Sequence, residues 1–349
     1  MKKKAELTLE EQTHRTRLRD LYCGIFVVAI FVWVLQFVLG GLANLAAPHL
    51  NFYGATALTL IANALAVFLP FFVYQKLRRD PVLPLFREKP QSEHFVLHTL
   101  FGILAVSGIT LALAGLTDRL LSFLEGLGLH STVTVPNLGD SLLQNVFYLL
   151  LSALLSSFSY EFAFRGIALN AMKGENRIAA LLVSTVAFAF SDGHLYHIVI
   201  RLFVGFLLGS FYLRVRSFWC CMILHAASSA VLDFWWWIST KQEYAIIVNF
   251  LIILGLIFGI AAALCIFLSK KEWEPGSTPN KIAIKEIFTS FGIYVITGLL
   301  AFNLLVFTFS TDSDPADPLL QPVPEEDQIP PLHFDRDEEF EDYYNSEGN

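Results

Sequence analysis

Long apolar segments dominate this chain and restrict it to folds that place many side chains in lipid. A helix needs about 20 apolar residues to cross the hydrocarbon core of a bilayer, where all backbone polar groups must be satisfied internally. Nine segments approach or exceed this length: Leu21 to Ala47, Phe52 to Tyr74, Phe95 to Leu116, Leu142 to Ala171, Ile178 to Gly193, Ile198 to Val215, Phe218 to Ile238, Tyr244 to Leu268 and Ile287 to Phe309. The sequence therefore predicts an all-α polytopic membrane protein, a bundle of about eight or nine transmembrane helices, the fifth and sixth being weakest.

Composition supports the membrane interpretation. Hydrophobic residues make up 55% of the 349 residues and charged residues 16%, against about 25% charged residues in soluble domains. No short apolar stretch followed by a small-residue cleavage site opens the chain, so the first segment is expected to be a retained span. The sequence shows no glycine-rich phosphate loop and no nucleic-acid signature. We therefore expect membrane lipid as a partner and no nucleic acid.

Basic residues mark alternate ends of the apolar segments, which predicts an orientation because cytoplasmic loops are enriched in Lys and Arg. Clusters precede the first segment and follow the second, fourth, sixth and eighth. Residues 1–20 are then a cytoplasmic basic amino terminus, and residues 21–310 form the transmembrane domain. With nine crossings, the carboxyl terminus lies outside.

Residues 311–349 differ from the rest of the chain because they carry thirteen acidic residues and one basic residue, Arg336. Such a segment, rich in proline and without apolar periodicity, is expected to be a solvated, disordered tail outside the cytoplasm. A metal-collecting or partner-binding role is the alternative.

Two charges lie inside the fourth apolar segment. Glu161 and Arg165 are four residues apart, which is one helical turn, so they share a face. A charge at bilayer depth costs roughly 2.5 to 3.5 kcal/mol on insertion scales and usually lines a functional cavity. The alternative is a structural ion pair that ties this helix to a neighbour.

Two histidines extend this pattern. His194 follows the end of the fifth segment and His225 lies within the seventh. A carboxylate and two imidazoles on three helices could activate water, with the carboxylate taking a proton and the imidazoles orienting water, stabilising an oxyanion or binding a metal. If a metal is present, its ligands are Glu161, His194 and His225; the pattern leaves open whether there is no cofactor or a zinc ion. The alternatives are an interfacial histidine for His194 and a hydrogen bond between helices for His225.

Taken together, these segments resemble the CAAX protease and bacteriocin-processing family, which includes the type II prenyl-protein endopeptidases. The family motifs are Glu-Glu-x-x-x-Arg, usually followed by Gly, then Phe-x-x-x-His, then His-x-x-x-Asn or Asp. The matching residues are Glu161, Arg165 and Gly166 for the first motif, Phe190 and His194 for the second, and His225 for the third. The resemblance covers about Leu142 to Ile238, and it implies a multi-helix membrane endopeptidase in a bacterial plasma membrane.

Two positions depart from the family pattern. Tyr160 stands where the resemblance places the water-activating glutamate, and Ser229 replaces the Asn or Asp of the third motif. A phenol with an ordinary pKa near 10 is a poor general base at neutral pH. Tyr160 could instead donate a hydrogen bond to an oxyanion, and Ser229 or Asp233 could supply the missing polarity.

The sequence therefore leaves two functions open. One is an intramembrane endopeptidase that cleaves a peptide or protein in or near the membrane, with Glu161 as base or polar helper, His194 and His225 orienting water or binding a metal, and Arg165 setting the electrostatics. The other is a noncatalytic relative that binds a membrane peptide or partner through the same cavity, with Tyr160 as a packing and hydrogen-bonding group. A transporter or an unrelated membrane protein is a further alternative.

Helix depth gives a separate expectation for His194. At about 1.5 Å per residue, Glu161 lies roughly 18 Å from the Lys173 boundary, whereas His194 lies roughly 25 Å from Arg177. The fifth helix must therefore tilt strongly, begin below the bilayer surface or be partly re-entrant for His194 to reach the site.

Overall fold

The computed structural model describes residues 9–79, 86–91, 93–126, 130–131, 141–191, 195–239, 245–268, 278–303 and 309–310. Nearly all of these residues are helical. The helices are α1 Leu9–Ala46, α2 Phe52–Leu77, α3 Phe95–Glu125, α4 Leu142–Tyr160, a π-helix Glu161–Leu169, α5 Asn170–Met172, α6 Arg177–Phe190, α7 Leu195–Val215, α8 Phe218–Ser239, α9 Ala245–Leu268, α10 Asn280–Thr289 and α11 Phe291–Asn303. A 3-10 turn, Ala47–His49, follows α1. The two-residue strand β1 His130–Ser131 pairs antiparallel with β2 Phe309–Ser310.

The predicted all-α polytopic membrane fold is confirmed. Six of the described helices are long and apolar enough to cross a membrane, and α10 with α11, bent by 53°, would make a seventh span. Two further apolar helices, Arg177–Phe190, which is α6, and Asn249–Leu264, which is part of α9, are shorter than these spans. The count of eight or nine spans, the orientation and the acidic tail at 311–349, which lies outside the described residues, all stay predictions.

Local sequence signals start several helices. The Ser141 hydroxyl accepts a hydrogen bond from the backbone N–H of Gln144, whose side chain accepts one from the Ser141 N–H, so α4 begins with a capping box. The Asn51 side chain caps α2 through the N–H of Gly54. Asn176 caps α6 in the same way. These caps satisfy backbone donors that have no partner inside the helix.

Helices α3 and α9 approach each other through glycine. A Cβ added to Gly108 would lie 2.4 Å from the carbonyl oxygen of Gly255, and one added to Gly259 would lie 2.8 Å from the backbone nitrogen of Ile109. Small residues allow membrane helices to approach this closely, and van der Waals packing then holds them together. This contact does not contribute side chains to the site described below.

Candidate active site

The Glu161–Arg165 pair lies in an unusual helical segment. From Glu161 to Leu169 the backbone that continues α4 is a π-helix, and all nine of its residues are buried. Helices of this type are rare and occur frequently at functional sites. The α-helical spacing used to interpret the sequence does not describe this segment, although the two charges do lie on a common face.

Arg165 fixes the carboxylate of Glu161 and connects three helical elements. Its Nη1 donates to Glu161 Oε1 at 2.9 Å, and its Nη2 donates to the carbonyl oxygen of Gly205 in α7 at 3.0 Å. The guanidinium carbon lies 4.5 Å from the centre of the Phe188 ring in α6. Arg165 is 1% exposed and Glu161 is fully buried. A buried charge pair of this kind needs both partners, because removing one leaves an uncompensated charge.

His225 joins the pair from α8. Its Nδ1 lies 2.8 Å from Glu161 Oε1, so one carboxylate oxygen contacts both the imidazole and the guanidinium. The second oxygen, Oε2, is buried and has no hydrogen-bond partner among the described residues. An unsatisfied buried acceptor costs free energy. The structure therefore brings Glu161, Arg165 and His225 together and leaves Oε2 as an acceptor within the site.

Tyr160 lies beside this group. Its hydroxyl accepts a hydrogen bond from Gln36 Nε2 in α1 at 3.0 Å. Its ring stacks on Phe164 at 5.9 Å and contacts the edges of Phe188 at 5.5 Å and His225 at 6.0 Å between ring centres. The hydrogen bond to Gln36 and the contacts with these three rings thus help to hold the phenol at the site.

Besides Gln36, sequence reasoning missed two residues that the structure places at the site. The Phe188 ring contacts Tyr160, His225 and both Arg165 and Arg201, whose guanidinium carbons lie 4.5 and 5.5 Å from its centre. Arg201 of α7 also lies over the Tyr160 ring at 4.6 Å. Arg201 could have been found, because it is a charge within an apolar segment just as Arg165 is. Phe188 carries no such signal among the many phenylalanines of the chain.

His194 lies outside the described residues, so its predicted place in the site and its depth stay predictions. Within the described ranges, no group of three or more His, Cys, Asp or Glu side chains could hold a metal ion. The Arg165 guanidinium, 2.9 Å from the Glu161 carboxylate, would repel a divalent cation there. Glu161 and His225 as arranged therefore do not favour a metal ion.

Comparison with known families finds one match, which covers the helices of this site. Residues 142–231 match the family model described as "Type II CAAX prenyl endopeptidase Rce1-like". This segment is similar to an Rce1-like domain. It begins with α4 and ends within α8, and it contains every residue that matched the family motifs. The family resemblance of the sequence is confirmed over these residues. No curated protein and no solved structure matches the chain.

The Rce1-like domain places its motif residues on different helices. Glu161 and Arg165 come from the π-helix, Phe190 ends α6 and His225 lies in the first half of α8. Contacts between these helices, rather than the sequence spacing, determine which side chains meet. The chain is therefore a multi-pass membrane protein, and its residues 142–231 are similar to the Rce1-like family.

Proposed function

We propose that this chain is an intramembrane endopeptidase that hydrolyses a peptide bond with water activated by Glu161 and His225. The observation that carries this proposal is the 2.8 Å contact between His225 Nδ1 and Glu161 Oε1. Two helices that are separate in sequence bring a carboxylate and an imidazole into hydrogen-bonding distance in a buried site. Such a pair is an arrangement that general acid–base catalysis uses.

In this proposal Glu161 orients the base and His225 acts as the base. The carboxylate accepts the Nδ1–H hydrogen bond, so the neutral imidazole keeps its acceptor lone pair on Nε2. Nε2 takes a proton from water while the water oxygen bonds to the carbonyl carbon and the carbonyl oxygen becomes an oxyanion. The imidazolium then returns the proton to the amide nitrogen as the C–N bond breaks. This division of roles needs no carboxylate at position 160.

Neighbouring side chains have supporting roles. Arg165 orients the Glu161 carboxylate through the 2.9 Å contact. The Tyr160 hydroxyl, positioned by Gln36, is suited to donate a hydrogen bond to the oxyanion, since preorganised donors stabilise charge that develops in the transition state. Tyr160 is thereby an electrophilic group rather than the base that the family motif has at this position. His194, if it joins them, would orient the same water.

The substrate that fits this location is a peptide or protein segment in or near the membrane. We further propose a bacterial plasma membrane, which the family resemblance implies. The positions of the basic clusters favour an amino terminus in the cytoplasm and an acidic tail outside. Both the substrate class and the location go beyond what the family match establishes.

A noncatalytic binding role is the second candidate, and Tyr160 favours it. Its ring packs against Phe164, Phe188 and His225, so it fills space where the motif has a smaller carboxylate. Under this alternative, the same site holds a membrane peptide or partner without cutting it.

Cleavage of a peptide library separates the two candidates. Purified protein in lipid nanodiscs would be offered membrane-proximal and prenylated peptides, and the products would be identified by mass spectrometry. We expect Glu161→Gln and His225→Ala to lower kcat at least about 100-fold, in the range of lost general acid–base catalysis. His49→Ala, at an exposed turn outside the site, is the matched control. Cleavage that continues unchanged in both site variants would exclude this pair as the catalytic group.

Restoring a carboxylate at position 160 gives a complementary test. If Tyr160→Glu creates cleavage that the natural chain lacks, while the natural chain binds the same peptides, the noncatalytic role is supported. If the natural chain cleaves and Tyr160→Glu adds little, water activation by Glu161 and His225 is supported.

A further inference from the structure

We propose that polar side chains of α4, α7 and α8 form a water-conducting track that leads from one end of these helices to the Glu161–His225 pair. This polar track is defined by seven residues: Asn145, Tyr148 and Ser152 in α4, His197 and Arg201 in α7, and Ser229 and Asp233 in α8. Its ligand is water, and its role as the source of hydrolytic water rests on the function proposed above.

The spacing of these residues places them on one face of each helix. In α8, Ser229 and Asp233 follow His225 at intervals of four residues, and in α7 His197 precedes Arg201 by four. Residues three or four apart share a helix face. The same face that carries a site residue therefore continues as a polar stripe toward the far end of α8.

Helix α4 separates its polar stripe from a lipid-facing stripe. Leu143, Leu150 and Leu154 are 68%, 60% and 52% exposed, as expected for side chains in contact with lipid. Asn145 and Ser152 lie two residues beyond Leu143 and Leu150, which is about 200° around an α-helix. The polar groups of α4 thus point into the bundle.

Contacts across the helices bring the stripes together. The Asp233 carboxylate of α8 lies near Ser152 of α4 and His197 of α7. Tyr148 lies near the same Ser152. Polar and charged groups inside a membrane protein face one another or a water-filled cavity because exposure to lipid is costly. The contacts of Asp233 therefore identify the middle of the track.

Three acceptor oxygens along this route are buried and have no hydrogen-bond partner among the described residues. They are Asn145 Oδ1 near the start of α4, Asp233 Oδ2 in the middle and Glu161 Oε2 at the site. Each requires a donor, and water is the small donor that satisfies buried polar groups in protein interiors. Arg201 lies between the middle and the site, where its guanidinium covers the Tyr160 ring.

Apolar groups dominate the opposite side of the site, where Asn170, the residue after the π-helix, hydrogen-bonds Tyr212. Phe162, Phe164, Ile167, Ala168 and Leu169 of the π-helix are at most 2% exposed. Beside them, Phe86 stacks on Phe158 and Phe162 and contacts the edge of Phe218 at 5.1 Å. Water therefore reaches the pair from the end of the bundle where α4 begins and α8 ends, along about 12 Å of α8 between Asp233 and His225.

Cysteine labelling tests the polar track without any substrate. Single cysteines, Ser152→Cys and Ser229→Cys, would be introduced after the four native cysteines are replaced by alanine. The native cysteines are Cys23, Cys220, Cys221 and Cys265. Each variant, in lipid nanodiscs that expose both faces, would react with the charged, water-soluble reagent methanethiosulfonate ethylsulfonate. Leu150→Cys and Leu154→Cys, on the lipid-facing stripe of α4, are the controls.

We expect the two track positions to react at least about tenfold faster than the two lipid-facing positions. Equal rates in folded protein would overturn the track, and folding is checked by helical circular dichroism and gel filtration. If the four alanine replacements prevent folding, the same cysteines are placed in the natural chain and labelled sites are counted by mass spectrometry. Fast labelling without peptide cleavage would reject the hydrolytic function and keep the track. Peptide cleavage together with equal labelling rates at all four positions would reject the track and keep the hydrolytic function.

Discussion

The two halves of the fourth membrane span differ in how they hold polar groups. From Leu142 to Tyr160 the helix is α-helical and presents one lipid-facing stripe and one polar stripe. From Glu161 to Leu169 it is a π-helix whose side chains are all buried, and it contains Glu161 and Arg165, the acidic and basic residues of the span. The charged side chains lie in the π-helical half, where each has a partner within the protein. Neutral polar side chains line the α-helical half, from which water would arrive.

This difference separates two requirements of a hydrolytic site inside a membrane. A carboxylate must be kept oriented away from bulk solvent so that its interactions are strong, and water must still reach it. The π-helix meets the first requirement through Arg165 and His225. The α-helical half would meet the second through the polar track.

The largest effect is expected from removing the cation of the buried half. Arg165→Met leaves Glu161 without its ion-pair partner, which should destabilise the fold by about 3–5 kcal/mol. Thermal unfolding in detergent micelles, followed by tryptophan fluorescence, measures this loss. The double variant Glu161→Gln with Arg165→Met should recover a large part of it. If the double variant loses as much stability as the two single variants together, the ion pair is not the interaction that stabilises the π-helical half.

A smaller effect is expected from adding one methyl group next to the buried half. A Cβ at Gly205 would lie 2.8 Å from the Phe188 ring, which contacts Arg165 and His225. Gly205→Ala should therefore cost about 1–3 kcal/mol, the usual range for overpacking, and lower peptidase activity as Phe188 shifts. Gly298→Ala, with no atom within 4 Å of the added Cβ, serves as the control. Equal unfolding temperatures for the two variants would contradict tight packing at Phe188.

The α-helical half can be tested through Asp233. Replacing it by Leu removes the carboxylate in the middle of the polar track without touching Glu161 or His225, so kcat should fall about tenfold, or about 1.4 kcal/mol in activation free energy, with KM unchanged. Steady-state cleavage assays measure both constants. Leu154→Val on the lipid-facing stripe should leave both unchanged. A rise in KM with constant kcat would assign Asp233 to substrate binding instead of water supply.

The smallest effect concerns Lys173, just past the end of the π-helical half. Burial lowers the pKa of this amine from its ordinary value of 10.5. The positive charges of Arg216 and Arg177 also lower this pKa, whereas the negative charge of Glu88 raises it. Because the unfolded chain holds this proton more tightly, stability should rise with pH between the lowered pKa and 10.5. Unfolding temperatures measured from pH 8 to 10.5 should show this rise in the natural chain and less of it in Lys173→Met. The exposed Lys281→Met should keep the natural slope.

Much of the site could be predicted from local patterns. The apolar segments indicated the membrane fold, and the four-residue spacing of Glu161 and Arg165 indicated their ion pair. The ordered motifs indicated the family, which the match over residues 142–231 confirms. His194 remains a prediction because it lies outside the described residues. These successes depend on costs that any apolar environment imposes on charges, so one sequence is enough to recognise them.

Other features could not be predicted because they depend on distances between helices. The hydrogen bond from Gln36 to Tyr160 joins residues 124 positions apart, and the Phe188 contacts select one ring among the 32 phenylalanines of the chain. The π-helix has no signal in the spacing of its residues. No local sequence pattern marks Asp233 or Ser152, and only the packing of α4 against α8 brings them close together.

A multi-helix membrane protein with an Rce1-like segment can be recognised from the amino-acid sequence, because hydrophobicity and motif spacing are properties of contiguous residues. Tertiary structure alone decided that Glu161 shares one oxygen between Arg165 and His225, and that Tyr160 and Arg201 lie beside them. Lipid drives each segment to form a helix, but packing between helices decides which faces meet. The chemistry proposed for this chain follows from the second of these processes.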